Sequence, residues 1–199
     1  MKKVITHSIC MLVMITSIAT SFAGTISPLE INSMEITLTL NNVKAGQLLS
    51  IKDINGITLY RKMIEEEGLF SSRYDLSAIP DGNYFFEHEK DYQIKIIPFK
   101  VANNKVNFDK SGEKIIFKPV VSVKDNKVYV SKLDLEKETL EIEIYHDDRN
   151  KSGYNLMYSE NIENSIKTER IYKLPISHLG KYKVVISANG RQYIEYFSI

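Results

Sequence analysis

Apolar and polar side chains alternate with a period of two over most of the chain. Leu140, Ile142 and Ile144, for example, are separated by Glu141 and Glu143. Because successive side chains of a strand point to opposite faces, this pattern predicts half-buried strands with one apolar and one solvated face, which is typical of antiparallel sheets. No segment beyond the N-terminus has a convincing helical periodicity, so we expect an all-β fold.

Turn-forming residues separate these runs at short intervals, which favours a β-sandwich or a barrel. Asp53–Gly56 and Asn189–Gly190 provide hairpin turns, since Asn and Gly tolerate the positive φ angles of such turns. Segment 61–67 fits a helix stopped by Gly68 and fits a strand entering a charged turn equally well. The predicted strands are 26–31, 34–40, 47–53, 57–64, 69–75, 82–89 and 92–101, followed by 119–123, 127–133, 138–146, 154–159, 168–174, 181–187 and 191–199.

The second half of the chain repeats the first. Gly82 and Tyr84 recur 98 positions later as Gly180 and Tyr182, in similar surroundings. A repeat of this length predicts two small β-sandwich domains in tandem. We place them at 24–102 and 118–199, joined by a polar linker at 103–117 in which 106–108 and 115–117 are able to form a small hairpin.

The N-terminus has the layout of a secretory signal peptide. Lys2 and Lys3 precede an apolar run over 9–18, and small residues lead to a cleavage site after Ala23. The run is too short to span a membrane, and no later stretch is longer. We therefore expect residues 1–23 to be removed and the protein to be exported to the periplasm, the cell surface or the exterior, as a monomer that does not span the membrane.

Removal of this segment changes the composition in two ways. It takes away Cys10, the only cysteine, so the exported chain has to be stabilised by packing and hydrogen bonds alone. It also removes Lys2 and Lys3, which leaves 24 of the 26 basic side chains against 25 acidic ones. This balance does not indicate nucleic acid or an anionic membrane as a partner.

The repeated Gly-x-Tyr motif resembles a corner of immunoglobulin-like domains. Those folds place a tyrosine near the start of a late strand and tie its hydroxyl to the backbone of the preceding corner. Tyr84 and Tyr182 occupy this position, and Phe86 and Val184 stand where antibody domains have a cysteine. The resemblance implies two immunoglobulin-like sandwiches in which apolar packing replaces the disulfide.

A second resemblance is to the C-terminal β-sandwich domains of type IX secretion substrates. Segments 53–60 and 75–84 are similar to the Asp-x-x-Gly and Leu-Ser-x-Leu-x-x-Gly-x-Tyr pattern of those domains, and 152–156 and 174–182 follow it more loosely. This resemblance implies that the second domain is an export or sorting module.

Candidate catalytic and metal-binding residues do not form a recognised motif. His88, His146 and His178 have no paired spacing, whereas zinc needs three or four converging ligands. The 146–153 loop contains His146, Asp147, Asp148, Asn150 and Ser152, a set that invites comparison with a Ser-His-Asp triad or a calcium loop. Neighbours within one loop rarely supply triad geometry, and the calcium-loop pattern is missing, so a solvated hairpin loop is the preferred interpretation.

Paired acids and tyrosines give two further candidates. Glu141 and Glu143 share one strand face, as a glycosidase pair does, but their alternation with apolar residues indicates the solvated face. Glu65–Glu67 is interpreted as a solvated turn. Five tyrosines are concentrated in the second half: Tyr154, Tyr158, Tyr172, Tyr193 and Tyr196. Some of them are expected on an exposed strand face, where they could stack on sugars or anchor a protein, although packing within the sheet is the commoner role of tyrosine.

We therefore predict no catalytic residues, no metal and no cofactor. The favoured hypothesis is an exported interaction or structural module that binds another envelope protein or a surface polysaccharide through its loops or an open strand edge. The alternative is a type IX secretion substrate whose final domain is recognised by the export machinery.

Overall fold

Every regular element of the described chain is a β-strand, which confirms the all-β prediction. The computed structural model describes residues 34–147 and 153–199. The predicted signal peptide, 1–23, and the predicted strand 26–31 lie outside these residues. In chain order the strands are β1 (Glu35–Val43), β2 (Leu48–Asp53), β3 (Thr58–Met63), β4 (Gly68–Asp75), β5 (Gly82–Glu89), β6 (Gln93–Ala102), β7 (Lys105–Phe108), β8 (Lys114–Phe117), β9 (Val120–Lys124), β10 (Lys127–Leu133), β11 (Leu140–Asp147), β12 (Tyr154–Ile162), β13 (Lys167–Lys173), β14 (Lys181–Ala188) and β15 (Arg191–Ser198).

Two sandwiches follow one another along the chain, and all strand pairs are antiparallel. In the first sandwich β1 pairs with β4, and the larger sheet has the order β3-β2-β5-β6-β7, with β8 also paired to β6. In the second, the sheets have the orders β13-β10-β9 and β12-β11-β14-β15. Each larger sheet thus contains the C′-C-F-G strand order of immunoglobulin-like domains, which confirms the predicted fold class.

Separate apolar cores hold the two sandwiches together. Alternate residues of the facing sheets enter each core, as the period of two requires. The first core includes Leu38, Leu49, Ile51, Phe86 and Phe99, and the second includes Val128, Val130, Ile142, Ile144 and Val184.

A tyrosine corner is present in both sandwiches, as predicted. Tyr84 Oη donates a hydrogen bond to the Pro80 carbonyl oxygen at 2.8 Å, and Tyr182 Oη donates to the His178 carbonyl oxygen. Both rings are buried next to a phenylalanine, so each hydroxyl fixes a connection to the start of a central strand while its ring packs in the core.

The predicted strands after residue 33 are all observed, with ends shifted by at most three residues. Segment 61–67 continues β3 to Met63 and then turns, so the strand interpretation is confirmed. The hairpin turns also agree: Asp53 Oδ1 accepts hydrogen bonds from the Asn55 and Ile57 amides at 3.0 and 2.8 Å, and Asn189 has a φ of 53°.

The segment 103–117, expected to be a linker, adds two strands to the first sandwich. β7 pairs with the end of β6 and β8 with its beginning, rather than with each other. The long β6 leaves backbone donors and acceptors along its outer edge, and pairing with two short strands satisfies them. Phe108 pairs with Phe99, and Ile116 with Ile94.

A buried ion pair joins the two sandwiches. Glu87 lies on the outer face of β5 with its side chain 4% exposed, and Arg191 follows the hairpin between β14 and β15. Arg191 Nη2 and Nη1 donate to the two carboxylate oxygens of Glu87 at 2.5 and 3.2 Å, and Lys52 Nζ donates at 2.9 Å. Burial alone would raise the pKa of Glu87, but the hydrogen bonds from Arg191 and Lys52 outweigh it and hold that pKa below its usual value.

Tyr84→Phe and Tyr182→Phe are each expected to lower the free energy of unfolding by about 1 kcal/mol, because each leaves a corner carbonyl without its hydrogen bond. Urea denaturation measures this loss. Tyr92→Phe, at an exposed tyrosine, is the control and should change the stability by less than about 0.5 kcal/mol. Equal effects for all three variants would contradict a structural role for the corners.

Arg191→Gln is expected to lower the free energy of unfolding by about 2 kcal/mol or more, since it leaves the buried Glu87 carboxylate with a single cationic partner. Lys114→Gln is the matched control, because the Lys114–Glu136 pair also joins the sandwiches but is about half exposed. Its loss should cost under about 1 kcal/mol. If Arg191→Gln lowers the free energy of unfolding no more than the control does, the Glu87 carboxylate does not depend on a cation from the second sandwich.

Candidate functional site

The three candidate histidines lie in two different places. His88 is buried in the first sandwich, where its Nε2 is 2.8 Å from Gln47 Oε1. His146 and His178 are neighbours in the second sandwich, with ring centroids 5.5 Å apart. Among the described residues, no group of three or more His, Cys, Asp or Glu is placed to hold a metal ion.

His146 is positioned by the tyrosine corner rather than by an acid. Its ring centroid is 4.7 Å from that of Tyr182. A Cβ added at Gly180 would lie 3.3 Å from His146 Nε2, and Gly180 has a φ of 144°, so both space and backbone favour glycine there. Asp148, Asn150 and Ser152, the other members of the candidate triad or calcium loop, fall outside the described residues.

The candidate acids lie on solvated surfaces. Glu141 and Glu143 are on the face of β11 opposite the fully buried Ile142 and Ile144, as the alternation predicts. Glu65–Glu67 are exposed between β3 and β4, which confirms the turn.

Three of the five candidate tyrosines belong to the packing of the second sandwich. Tyr158, Tyr172 and Tyr193 all border its core. Tyr172 Oη donates to Glu160 Oε2 at 2.6 Å, and Tyr158 Oη donates to the Lys173 carbonyl oxygen at 2.8 Å. Burial, followed by the bond to Glu160, raises the pKa of Tyr172. For these residues the packing role is the one observed.

The other two tyrosines lie on an open sheet face. The strand register places Tyr196 opposite Lys183, Lys183 opposite Tyr145, and Tyr145 opposite Leu156. The rings of Tyr154 and Tyr196 meet edge to face, with centroids 6.2 Å apart. We call the outer surface of β12, β11, β14 and β15 formed by Tyr145, Tyr154, Leu156, Ile194 and Tyr196 the aromatic face.

Lys183 organises the centre of the aromatic face. Its Nζ lies 4.4 Å from the ring centroid of Tyr145 and 5.1 Å from that of Tyr154. The attraction between the Lys183 ammonium group and the two rings favours one arrangement of Tyr145 and Tyr154. Around it the face is open to solvent, since Tyr196 is 64%, Leu156 53% and Ile194 45% exposed.

Sequence reasoning identified Tyr154 and Tyr196 but not their neighbours. Tyr145, Leu156 and Ile194 sit at positions that point to the outer, solvated face of their sheet, and apolar side chains there depart from the usual alternation. A search for apolar residues at predicted outward positions would have found them. Their grouping depends on the register of four strands.

Comparison with known proteins adds little to this description. No family model and no curated protein matches the chain. Among solved structures it is similar to the BSP domain of a biofilm-associated protein, at 15% identity with a TM-score of 0.27, over 82% of this chain and 27% of that one. It is also similar to the FN1–FN3 domains of chicken CNTN1, at 15% identity with a TM-score of 0.27, over 84% of this chain and 60% of that one.

The chain thus spans about a quarter and about three fifths of the lengths of these two structures. Likeness at this level carries no argument about function, and the fold rests on the strand pairing itself. The resemblance to type IX C-terminal domains stays a prediction. No helix in the described ranges is both long and apolar enough to cross a membrane.

His88 makes stability depend on pH. Burial, helped by the nearby charges of Lys90 and Lys95, lowers its pKa from 6.5 to about 4. Between these values the unfolded chain binds a proton that the folded chain excludes, so stability falls as the pH drops from 6.5 towards 4 and the effect levels off below that. The expected loss is at most about 3 kcal/mol.

Denaturation curves measured from pH 7 to pH 4 test this. His88→Gln removes the titrating group and keeps a hydrogen-bond donor for Gln47, so its stability should vary less over this range. His178→Gln is the control and should keep the dependence of the unsubstituted chain. An unchanged slope in His88→Gln would assign the pH dependence to other groups.

Proposed function

We propose that the chain is a non-catalytic binding protein of the cell envelope or exterior, and that it docks another protein through the aromatic face. The observation that carries this proposal is the exposure of apolar and aromatic side chains on the outer surface of β12 and β15, the two outermost strands of a four-stranded sheet. The outer surface of a solvated sheet is ordinarily polar.

The composition of the face favours a protein partner. Tyrosines together with aliphatic residues such as Leu156 and Ile194 resemble the centre of a protein interface, where apolar anchors are surrounded by a polar rim. Glu141, Asn161 and Gln192 supply such a rim along one side. Four neighbouring strands give the face a width of about 14 Å, enough for several anchors.

A polysaccharide is the less favoured partner because the rings do not form a flat platform. Sugars stack on planar aromatic surfaces, whereas the planes of Tyr154 and Tyr196 are inclined by 61°. Location outside the cytoplasm is part of the same proposal and is supported by the signal-peptide pattern of residues 1–23.

Ile194→Lys and Tyr196→Ser are expected to weaken binding of the partner by about 30-fold or more, because anchors at the centre of an interface cost about 2 kcal/mol when lost. The partner is first captured from envelope extracts by the immobilised protein and then purified, and its dissociation constant is measured for each variant. Ile171→Lys is the matched control, since Ile171 lies on the outer face of the other sheet of the same sandwich and is more exposed than Ile194 and about as exposed as Tyr196.

Loss of binding in the face variants alone supports the proposal. Equal losses in the control, or none in the face variants, would contradict it, and binding of purified surface polysaccharide instead of protein would change the partner class. The mass of the chain recovered from each cell fraction tests its processing. Residues 24–199 intact in the envelope agree with a binding protein, whereas a cut near residue 118 would favour the export-substrate hypothesis.

A further inference from the structure

The outer edge of β15 is a long, regular strand edge. Within the described residues β15 pairs only with β14, and all eight of its residues are in continuous register with that strand. The other edge strands of the described ranges are either shorter or interrupted by a register shift. An open, regular edge presents a row of backbone donors and acceptors to which a further strand can pair.

The ladder between β14 and β15 shows which residues face the open edge. Gly180 and Ile199, at the start of β14 and the end of β15, exchange two backbone hydrogen bonds at 3.0 and 3.1 Å. Because hydrogen-bonded and non-hydrogen-bonded pairs alternate in an antiparallel ladder, the odd-numbered residues of β15 point their N–H and C=O groups at β14. The residues that point theirs outward are Gln192, Ile194, Tyr196 and Ser198.

The first sandwich shows the equivalent edge covered. The β5–β6 and β14–β15 ladders have the same register after a shift of 98 residues, since Pro98 lies opposite Phe85 and Tyr196 opposite Lys183. Two short strands, β7 and β8, pair with the outer edge of β6. Pro98 has no N–H to offer there, and its carbonyl oxygen accepts a hydrogen bond from the Asp109 amide at 3.0 Å. At the same place β15 has Tyr196, with both an N–H and a C=O.

We propose that the edge of β15 pairs with the same edge of a second copy of this chain, antiparallel and with Ile194 on the two-fold axis. In this register Ile194 meets Ile194, and Gln192 meets Tyr196, so each outward N–H faces an outward C=O of the other copy. One surface serves both copies, as a two-fold interface requires. Sequence analysis predicts a monomer, because alternation along a strand does not show which edge stays open.

The side chains of β15 favour this register over its neighbours. With the axis at Glu195, the two Glu195 carboxylates would be directly opposite, which is destabilising. With the axis at Tyr193, the paired segment would shorten from 191–197 to 191–195. With the axis at Ile194, Glu195 is opposite Tyr193, and the two Ile194 side chains, each 45% exposed in the single copy, cover one another.

The antiparallel arrangement keeps the two first sandwiches apart. Each is joined to the hairpin end of its own β15 by the Arg191–Glu87 pair, and the hairpin ends lie at opposite ends of the shared edge. The joined sheet has eight strands and brings the aromatic faces of both copies side by side. The inference goes beyond the proposed function and is tested by self-association, without any other protein, so the two can fail separately.

Tyr196→Pro removes one outward N–H and leaves the bonds to β14 in place, as Pro98 does in β6. Sedimentation equilibrium of the purified full-length chain measures the dissociation constant of the dimer. We expect Tyr196→Pro to raise it about tenfold or more, because each copy loses a backbone hydrogen bond at the interface. Tyr196→Ser is the matched control: it also removes the ring but keeps the N–H, so the increase should be smaller. Circular dichroism checks that both variants are folded.

A disulfide tests the position of the axis. In a Cys10→Ser background, an introduced cysteine is the only thiol of the chain. Directly opposite residues of a hydrogen-bonded pair have Cα atoms about 5.5 Å apart, which a disulfide spans, so Ile194→Cys should form a covalent dimer on mild oxidation. Gln192→Cys is the control on the same face. Its counterpart in the other copy lies about 13 Å away along the strands, so the yield of covalent dimer should be much lower.

Several outcomes would overturn the proposal. These are a chain that sediments as a monomer at millimolar concentration, equal dissociation constants for Tyr196→Pro and Tyr196→Ser, and equal yields of covalent dimer for Ile194→Cys and Gln192→Cys. If the chain is a monomer and Tyr196→Pro weakens binding of the captured envelope protein more than Tyr196→Ser does, the edge accepts a strand of that protein, which also overturns pairing with a second copy.

Discussion

The carboxylate of Glu87 constrains how the two sandwiches are joined. A buried charge is costly unless it is paired, and Glu87 finds one cation, Lys52, in its own sheet and the other, Arg191, in the second sandwich. The cost of burying the Glu87 carboxylate is therefore offset most fully when the β14–β15 hairpin packs against the outer face of β5 and brings Arg191 to it. Arg191 also lines, together with Phe85 and Ile96, a cleft of about 650 Å³ between the sandwiches.

Tyr84 and Tyr182 form equivalent corners, and the next inward positions, Phe86 and Val184, are apolar in both copies. The following inward position differs, since the buried His88 stands where the second copy has Ile186. Outward positions differ: Glu87 corresponds to Val185 in the second sandwich, 98 residues later. On the outer face of the larger sheet, the first copy therefore places the charge of Glu87, which pairs with Arg191 of the other sandwich. The second copy places the apolar side chain of Val185 next to Ile194.

Periodicity was sufficient to predict strands such as β10 and β11 because buried and open positions alternate along them. The tyrosine corners were predictable for a similar reason, since a local motif determines a local hydrogen bond. The aromatic face was only partly predictable: Tyr145 and Tyr196 are 51 residues apart, and only the register through Lys183 makes them neighbours. The cleft was not predictable, because alternation shows which side chains share a face and not what covers that face.

Strand addition at an open edge is the other way in which a sandwich of this kind could bind a partner, and the structure gives two reasons to favour the aromatic face. β3 and β12 are edge strands of the larger sheets, and each pairs with its neighbour through a register shift, after Ile51 in β2 and after Ile144 in β11. Both also carry charged side chains, Arg61 and Lys62 in β3 and Glu160 in β12. Irregular pairing and edge charges are the features by which proteins discourage strand addition. At β12, recognition through the side chains of the aromatic face is therefore favoured over strand addition.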